Sequence, residues 1–146
     1  MPIIETDMIF AFLNANDRHH NVASKLFSQI RSGYEVGLPT SALIEMELIY
    51  KSNDREDDLA NHVANLVAIP NISSIALTPK TILLSITLRE DYNLSFFDSH
   101  HAATALENDG KIISTDQEFK NVPNLELVDP NKCFNNDPEE QVEDKE

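Results

Sequence analysis

The chain has little cysteine, few basic residues and no long apolar run. Its one cysteine, Cys133, excludes a framework of internal disulfides and a zinc site built on cysteine thiolates. No apolar run approaches the roughly 18 residues of a membrane span, so we expect no membrane association. The N-terminus has no basic stretch followed by an apolar one, which argues against a secretory signal. We therefore expect a cytoplasmic protein.

The shortage of basic residues limits what the chain can bind. Lys and Arg together number 11 against 25 Asp and Glu, a formal net charge of −14. Such a chain repels phosphates and cannot hold nucleic acid by bulk attraction. If it acts on a polyanion, a divalent cation is the obvious source of positive charge. The rest of the composition, 146 residues with 41% hydrophobic, suits one globular domain.

The segment 131–146 differs in composition from the rest. It holds six acidic and two basic residues, a net charge of −4, which leaves −10 on residues 1–130. A segment of this kind cannot bury enough apolar surface to offset its ordering entropy. We predict that 131–146 is a disordered tail and that 1–130 forms a single domain with all the chemistry.

Short apolar segments alternate with segments of helical spacing. The predicted strands are 3–4, 34–38, 72–77, 111–114 and 125–128. The predicted helices begin at Met8, His19, Pro39-Thr40-Ser41, Asn53 or Asp54, Thr78-Pro79 and Asp98. Strands that alternate with helices form βαβ units and a parallel sheet covered on both faces. We predict an α/β fold, a three-layer α/β/α sandwich around a short, mostly parallel sheet of about five strands.

Acidic residues follow the predicted strands, where open parallel sheets build their sites. Asp7 follows the first strand, Asp116 follows the fourth, and Asp98 lies where 94–97 passes into a helix. Glu45 lies in the first turns of the helix after the second strand. If the first and fourth strands are neighbours, Asp7 and Asp116 lie side by side. Converging carboxylates raise each other's pKa values unless a cation intervenes, and Mg²⁺ or Mn²⁺ prefers such oxygen ligands.

Each of these acids also has a purely structural interpretation. Asp7 and Asp98 are good N-caps for the helices beside them, and Asp116 could cap the short turn that follows it. Glu45 could lie on a solvated helix face. These interpretations are reasonable one at a time, but the shared position at strand ends favours a common site.

Four segments resemble the motifs of the PIN-domain ribonucleases, which include the VapC-like toxins of toxin–antitoxin pairs. They are ETDMIFAFL (5–13), SALIEMELIY (41–50), LSFFDSHHAATA (94–105) and IISTDQEF (112–119). The resemblance covers roughly all of 1–130. The last two motifs are fairly specific, and the first two are weak alone. The resemblance implies a PIN-like fold whose acidic quartet holds one or two Mg²⁺ or Mn²⁺ ions. The quartet would be Asp7, Glu45, Asp98 and Asp116.

The resemblance also gives roles to further positions. Glu118 matches a position that is acidic in some members and holds water or a second metal, and Thr115 orients a carboxylate or water. Glu45 and Glu47 lie about 200° apart on a helix, so only one can face the site. Glu45 is favoured, and Glu47 stays the alternative. Met8 stands where many members have a small polar residue, so a supporting hydrogen bond is expected to be missing.

The function implied by the resemblance is a metal-dependent endoribonuclease. A metal-activated water would attack the phosphodiester in line and leave a 5′-phosphate and a 3′-hydroxyl. The implied partners are an RNA substrate, a cognate antitoxin and a second copy of the chain. The alternative is a non-catalytic PIN-like scaffold that binds RNA or protein. One ring of the pair His100-His101 could reach the cleft, since the pair closely follows Asp98.

Overall fold

A computed structural model describes residues 1–133 of the chain. Within this range, a sheet of five strands is flanked by six α-helices. The strands are β1 (Ile3–Ile4), β2 (Val36–Pro39), β3 (Ile72–Ile75), β4 (Lys111–Ile113) and β5 (Glu126–Val128). The helices are α1 (Thr6–Leu13), α2 (His20–Arg31), α3 (Thr40–Ser52), α4 (Glu56–Val67), α5 (Pro79–Tyr92) and α6 (Phe96–Leu106). Short 3₁₀ helices cover Gln117–Asn121 and Pro130–Lys132.

The strands run in the order β3-β2-β1-β4-β5, and every neighbouring pair is parallel. β1 lies in the centre, where Ile3 pairs with Ile112 and Ile4 pairs with Ile113 of β4. The condition for Asp7 and Asp116 to lie side by side, that the first and fourth strands are neighbours, is therefore met. Because both strands end at the same edge of the sheet, the residues that follow Ile4 and Ile113 emerge next to each other.

Alternate side chains of the central strands bury apolar surface on both faces of the sheet. Ile4 and Ile113 belong to a core formed with α1, α2, α3 and α4. Ile3 and Ile112 belong to a second core, formed with α5, α6 and the first 3₁₀ helix. Helices therefore cover both faces, and the predicted three-layer α/β/α sandwich is confirmed.

The sheet requires a residue without a side chain at one position of β2. A Cβ atom on Gly37 would overlap the side chain of Ile75 on β3 and lie 2.9 Å from Cδ1 of Ile3 on β1. The isoleucine side chains of both neighbouring strands thus fill the space above this glycine. Gly37 allows the central strands and the helices of the second core to pack closely.

Two helices begin earlier than predicted, and this changes the role of two aspartates. Glu5 caps α1, because its side chain accepts a hydrogen bond from the backbone N–H of Asp7. Ser95 caps α6, because its hydroxyl accepts a hydrogen bond from the backbone N–H of Asp98. The interpretation of Asp7 and Asp98 as helix caps is therefore wrong, and both carboxylates are free for other contacts.

The remaining helix starts vary in how well they were predicted. Thr78 and Thr81 form a reciprocal capping box at the start of α5, as the Thr78-Pro79 signal predicts. α4 begins one residue after Arg55, and not at a cap formed by Asn53 or Asp54. Asn53 is still the C-terminal cap of α3, and Asp54 adopts a left-handed φ of 56°.

The end of the described range packs against the body. Cys133 is half-buried, lies against the first core and contacts Tyr34. The predicted disordered tail, 131–146, falls mostly on residues 134–146, which lie outside the described residues, and it stays a prediction. In the range 1–133, no helix has the length and apolar character needed to cross a membrane.

Candidate metal centre

The acidic side chains meet at the edge of the sheet where β1 and β4 end. Glu5 directly follows β1 and Ser114 directly follows β4, and Asp7 and Asp116 come two residues later in each segment. The backbone continues the pairing for one more step, because the N–H of Glu5 donates to the carbonyl of Ile113 at 3.1 Å. The N-terminal turns of α1, α3 and α6 surround this edge. The topology therefore brings the predicted residues from distant parts of the chain to one place.

Asp7 is fixed by the loop that follows β4. Its Oδ2 accepts hydrogen bonds from the backbone N–H of Thr115 at 2.9 Å, from Thr115 Oγ1 at 2.7 Å and from Ser114 Oγ at 3.3 Å. Its Oδ1 is buried and has no hydrogen-bond partner among residues 1–133. Such an orphaned carboxylate oxygen is costly unless a ligand satisfies it. Asp7 is thus oriented through one oxygen while the other is left unpaired.

Met8 gives no polar support to the neighbouring Asp7. Met8 is fully buried in the first core and contributes nothing polar. The side chain of residue 8 thus supplies no hydrogen bond, as expected, and Asp7 is supported instead by Thr115 and Ser114. The loop after β4 supplies the hydrogen bonds to Asp7 that the Met8 side chain cannot donate.

Three carboxylates form a second part of the site. Asp98, Asp116 and Glu118 each offer one oxygen, and these oxygens lie within 4.8 Å of one another. Burial, together with repulsion from Asp116, raises the pKa of Asp98. Asp116 also caps the first 3₁₀ helix, because its Oδ1 accepts from the backbone N–H of Glu118 at 3.0 Å. One oxygen of Asp116 is thereby occupied, which confirms its interpretation as a cap of this short helix. The three carboxylates nevertheless lie close together.

Glu45 belongs to a third group, centred on a histidine. Its Oε1 lies 3.2 Å from Nε2 of His101, and Oε1 of Glu5 lies 3.8 Å from the same nitrogen. Burial acts to raise the pKa of Glu45, but hydrogen bonds from His101 and Thr6 outweigh it, and the pKa is lowered. Glu47, the alternative, is exposed. The structure therefore places Glu45, and not Glu47, beside the other acids.

Glu5 is a site residue that the sequence prediction missed, and His101 is the member of the pair His100-His101 whose ring reaches the site. Glu5 is 6% exposed, and burial together with the neighbouring Asp7 raises its pKa well above the usual value. His101 is completely buried. A signal existed for both: Glu5 stands directly at the end of a strand, and His101 lies one helical turn after Asp98. Neither signal separates a site residue from an ordinary buried polar group.

A divalent cation fits this set of side chains. Asp7, Asp98, Asp116 and Glu118 offer carboxylate oxygens, the ligands preferred by Mg²⁺ and Mn²⁺. The orphaned Oδ1 of Asp7 and the raised pKa of Asp98 both indicate negative charge that the protein alone does not neutralise. A bound cation would remove both penalties.

The chain matches the family model of the PIN domain over residues 3–125. It belongs to the PIN domain family. No curated protein matches the chain in sequence. The family membership agrees with the parallel sheet and with the acidic residues at its edge.

Solved structures of other PIN-fold proteins share the architecture at low sequence identity. A VapBC2 complex from Rickettsia felis, bound to a DNA fragment of its promoter, has a chain with a TM-score of 0.69 and 14% identity, covering 86% of this chain and 96% of that one. A toxin–antitoxin complex from Klebsiella pneumoniae has a chain with a TM-score of 0.62 and 17% identity, covering 89% and 98%. VapC20 of Mycobacterium tuberculosis, a toxin that cleaves the sarcin–ricin loop, has a TM-score of 0.64 and 15% identity, covering 77% and 87%. At these identities the likeness shows the fold.

Proposed function

We propose that the protein is a metal-dependent endoribonuclease of the VapC-like type. Asp7, Glu45, Asp98 and Asp116 would hold one or two Mg²⁺ or Mn²⁺ ions, with Glu118 as a further ligand. The observation that carries the proposal is the orphaned Oδ1 of Asp7 beside a cluster of carboxylates. RNA as the substrate is supported by the likeness in fold to VapC20, which is described as cleaving the sarcin–ricin loop.

The side chains have distinct tasks in this proposal. Thr115 holds Asp7 by two hydrogen bonds, so that its free oxygen keeps one direction. Asp98 stands in the first turn of α6, and Asp116 is anchored by a backbone hydrogen bond to Ser114 Oγ at 2.9 Å. The chemistry that a bound cation supplies here is Lewis acidity toward a phosphoryl oxygen and activation of water.

The cation also explains how so acidic a protein can approach RNA. With a net charge of −14, the protein repels the phosphate backbone. The carboxylate cluster at the edge of the sheet contributes to that repulsion. A cation held there reverses the local sign of the field and provides a contact for one phosphate.

The proposal is tested by RNA cleavage and by metal binding. Wild-type protein should cleave total RNA or a fragment with the sarcin–ricin loop in Mn²⁺ or Mg²⁺, and EDTA should stop cleavage. Asp7→Asn and Asp98→Asn should each lower the rate about 100-fold or more, while Glu47→Gln should cleave at the wild-type rate. Undiminished cleavage by both aspartate variants would reject this site. Failure of the wild-type protein to bind Mn²⁺ in calorimetry would favour the non-catalytic scaffold.

We also propose a partner that resembles the antitoxins of the VapBC2 and Klebsiella complexes. An open cavity of about 460 Å³ lies beside the C-terminal halves of α1 and α3. Arg55 lies over the ring of Tyr50 at 5.6 Å in this cavity, and His62 lines its wall. A cation on an aromatic ring suits a partner with apolar and acidic side chains. Arg55→Glu should abolish co-purification of the protein encoded by the adjacent gene, whereas Arg18→Glu should not.

Two further expectations stay proposals. α5 exposes Ile82, Leu83 and Ile86, with Leu83 at 68% exposure, and we place the expected homodimer contact there. Sedimentation should give a dimer for the wild-type protein and a monomer for Leu83→Glu. A cytoplasmic location also remains a prediction.

A further inference from the structure

His101 occupies the centre of the site without a role in the proposed chemistry. Its ring is fully buried between α6, α3 and the start of α1. Nδ1 lies 2.8 Å from Oγ of Ser41. Nε2 lies 3.0 Å from Oγ1 of Thr6 and 3.2 Å from Oε1 of Glu45. Every polar atom of the ring therefore has a partner, which is the arrangement expected of a side chain whose orientation matters.

The partners of the ring determine where its proton resides. Nε2 lies 3.2 Å from Oε1 of Glu45, and an ionised carboxylate can only accept a hydrogen bond. Nε2 therefore carries the proton and donates to Glu45. Nδ1 then accepts from the hydroxyl of Ser41, which can donate. The ring is fixed in one tautomer and one orientation by residues from two other helices.

We propose that His101 is a positioning residue that holds the Glu45 carboxylate toward the candidate metal centre. The inference rests on the proposed function, because it assigns Glu45 a direction relative to a bound cation. A glutamate has three rotatable bonds, and Glu45 is only half-buried, so packing alone does not fix it. The hydrogen bonds from His101 and Thr6 supply that restraint. Hydrogen-bond partners of ligating carboxylates typically contribute 10- to 100-fold in metal affinity.

The first experiment compares Mn²⁺ affinity among variants by calorimetry. His101→Leu introduces an apolar side chain of similar size that lacks the donor, so Mn²⁺ should bind about 10- to 100-fold more weakly. His101→Gln places an amide N–H near the former Nε2 and should recover most of that loss. His100→Leu is the matched control, because His100 is a buried neighbour whose Nδ1, among residues 1–133, pairs only with the carbonyl of Phe96. It should bind Mn²⁺ as the wild-type protein does.

The outcomes separate this inference from the proposed function. Wild-type affinity in His101→Leu, together with lost binding in Asp7→Asn, would overturn the positioning role and leave the metal centre standing. No Mn²⁺ binding by the wild-type protein would overturn both. Equal weakening in His101→Leu and His101→Gln would show that the site needs the shape of the ring and not its donor, which also overturns the inference.

A second experiment needs no metal. In ¹⁵N-labelled, metal-free protein, long-range correlation spectra of the imidazole rings should show His101 protonated at Nε2. Glu45→Gln should shift that Nε2 resonance and leave the resonances of His100 unchanged, whereas Glu47→Gln should shift neither. Protonation at Nδ1 alone, or an Nε2 resonance that is insensitive to Glu45→Gln, would refute the hydrogen bond on which the inference depends.

Discussion

Asp98→Asn should make the metal-free protein more stable, although it removes a proposed metal ligand. One oxygen of Asp98 lies within 4.8 Å of oxygens on Asp116 and Glu118. Two unit charges at that distance repel by about 3.5 kcal/mol at an effective dielectric constant of 20. Partial exposure reduces this figure, and losing a negative charge from the first turn of α6 costs about 0.5 kcal/mol. We expect the free energy of unfolding to rise by about 1 kcal/mol.

The assay is thermal unfolding in EDTA and again in excess Mn²⁺. For a domain of this size, 1 kcal/mol raises the Tm by about 3–5 °C, so Asp98→Asn should melt above the wild-type protein in EDTA. In Mn²⁺ at 100 times the Kd, the wild-type protein should gain about 2.7 kcal/mol, and the variant little or nothing. The order of the two melting temperatures should therefore reverse when Mn²⁺ is added.

The reversal distinguishes a metal ligand from a structural residue. If Asp98 served the helix alone, its loss would lower the Tm in both conditions. That result, or an equal Mn²⁺ shift in both proteins, would refute the reasoning. Glu47→Gln is the control, because Glu47 is an exposed glutamate on α3 away from the cluster. Its Tm should follow that of the wild-type protein in both conditions.

Three further changes test other parts of the structure. Thr115→Val removes the 2.7 Å hydrogen bond from Oγ1 to Asp7, so calorimetry should show about 10-fold weaker Mn²⁺ binding, restored in Thr115→Ser. Gly37→Ala forces a Cβ against Ile75 and should lower the free energy of unfolding by about 1–3 kcal/mol in urea titrations. Burial raises the pKa of Tyr34 to about 12. Because the fold favours the neutral phenol, stability should be lost as pH rises from about 10, the unfolded pKa, toward 12. Tyr34→Phe should abolish this part of the loss, and an unchanged alkaline transition would contradict it.

The fold was predictable because its signals are local. Apolar runs, helical spacing and the Thr78-Pro79 start lie within short windows of the sequence, and they suffice for alternating strands and helices. The two helices that begin earlier than predicted have a common cause. Glu5 and Ser95 act as caps, and the more obvious capping residues, Asp7 and Asp98, stand shortly after them. Because aspartate has a strong capping propensity, the sequence favoured Asp7 and Asp98 as caps, although neither carboxylate caps a helix.

Part of the candidate site was not predictable from the sequence for a physical reason. Asp7 and Asp116 are found by position, because each follows a strand and the strands are neighbours. His101 gains its meaning from Ser41 and Thr6, which lie 60 and 95 residues away in the chain. Such long-range contacts leave no periodic pattern. A buried histidine on an apolar helix face is therefore recognised only once the helices are packed.

The choice between Glu45 and Glu47 is partly predictable from the sequence. Both residues flank the buried stripe of α3 at similar angles, so the direction of the core does not separate them. The residues one helical turn earlier separate them, because Ser41 precedes Glu45 and Leu43 precedes Glu47. Ser41 is buried and bonds to His101, while Leu43 packs against the first core. A small polar residue one turn before an acid thus indicates the polar edge of a half-buried helix, and here that edge faces the carboxylates.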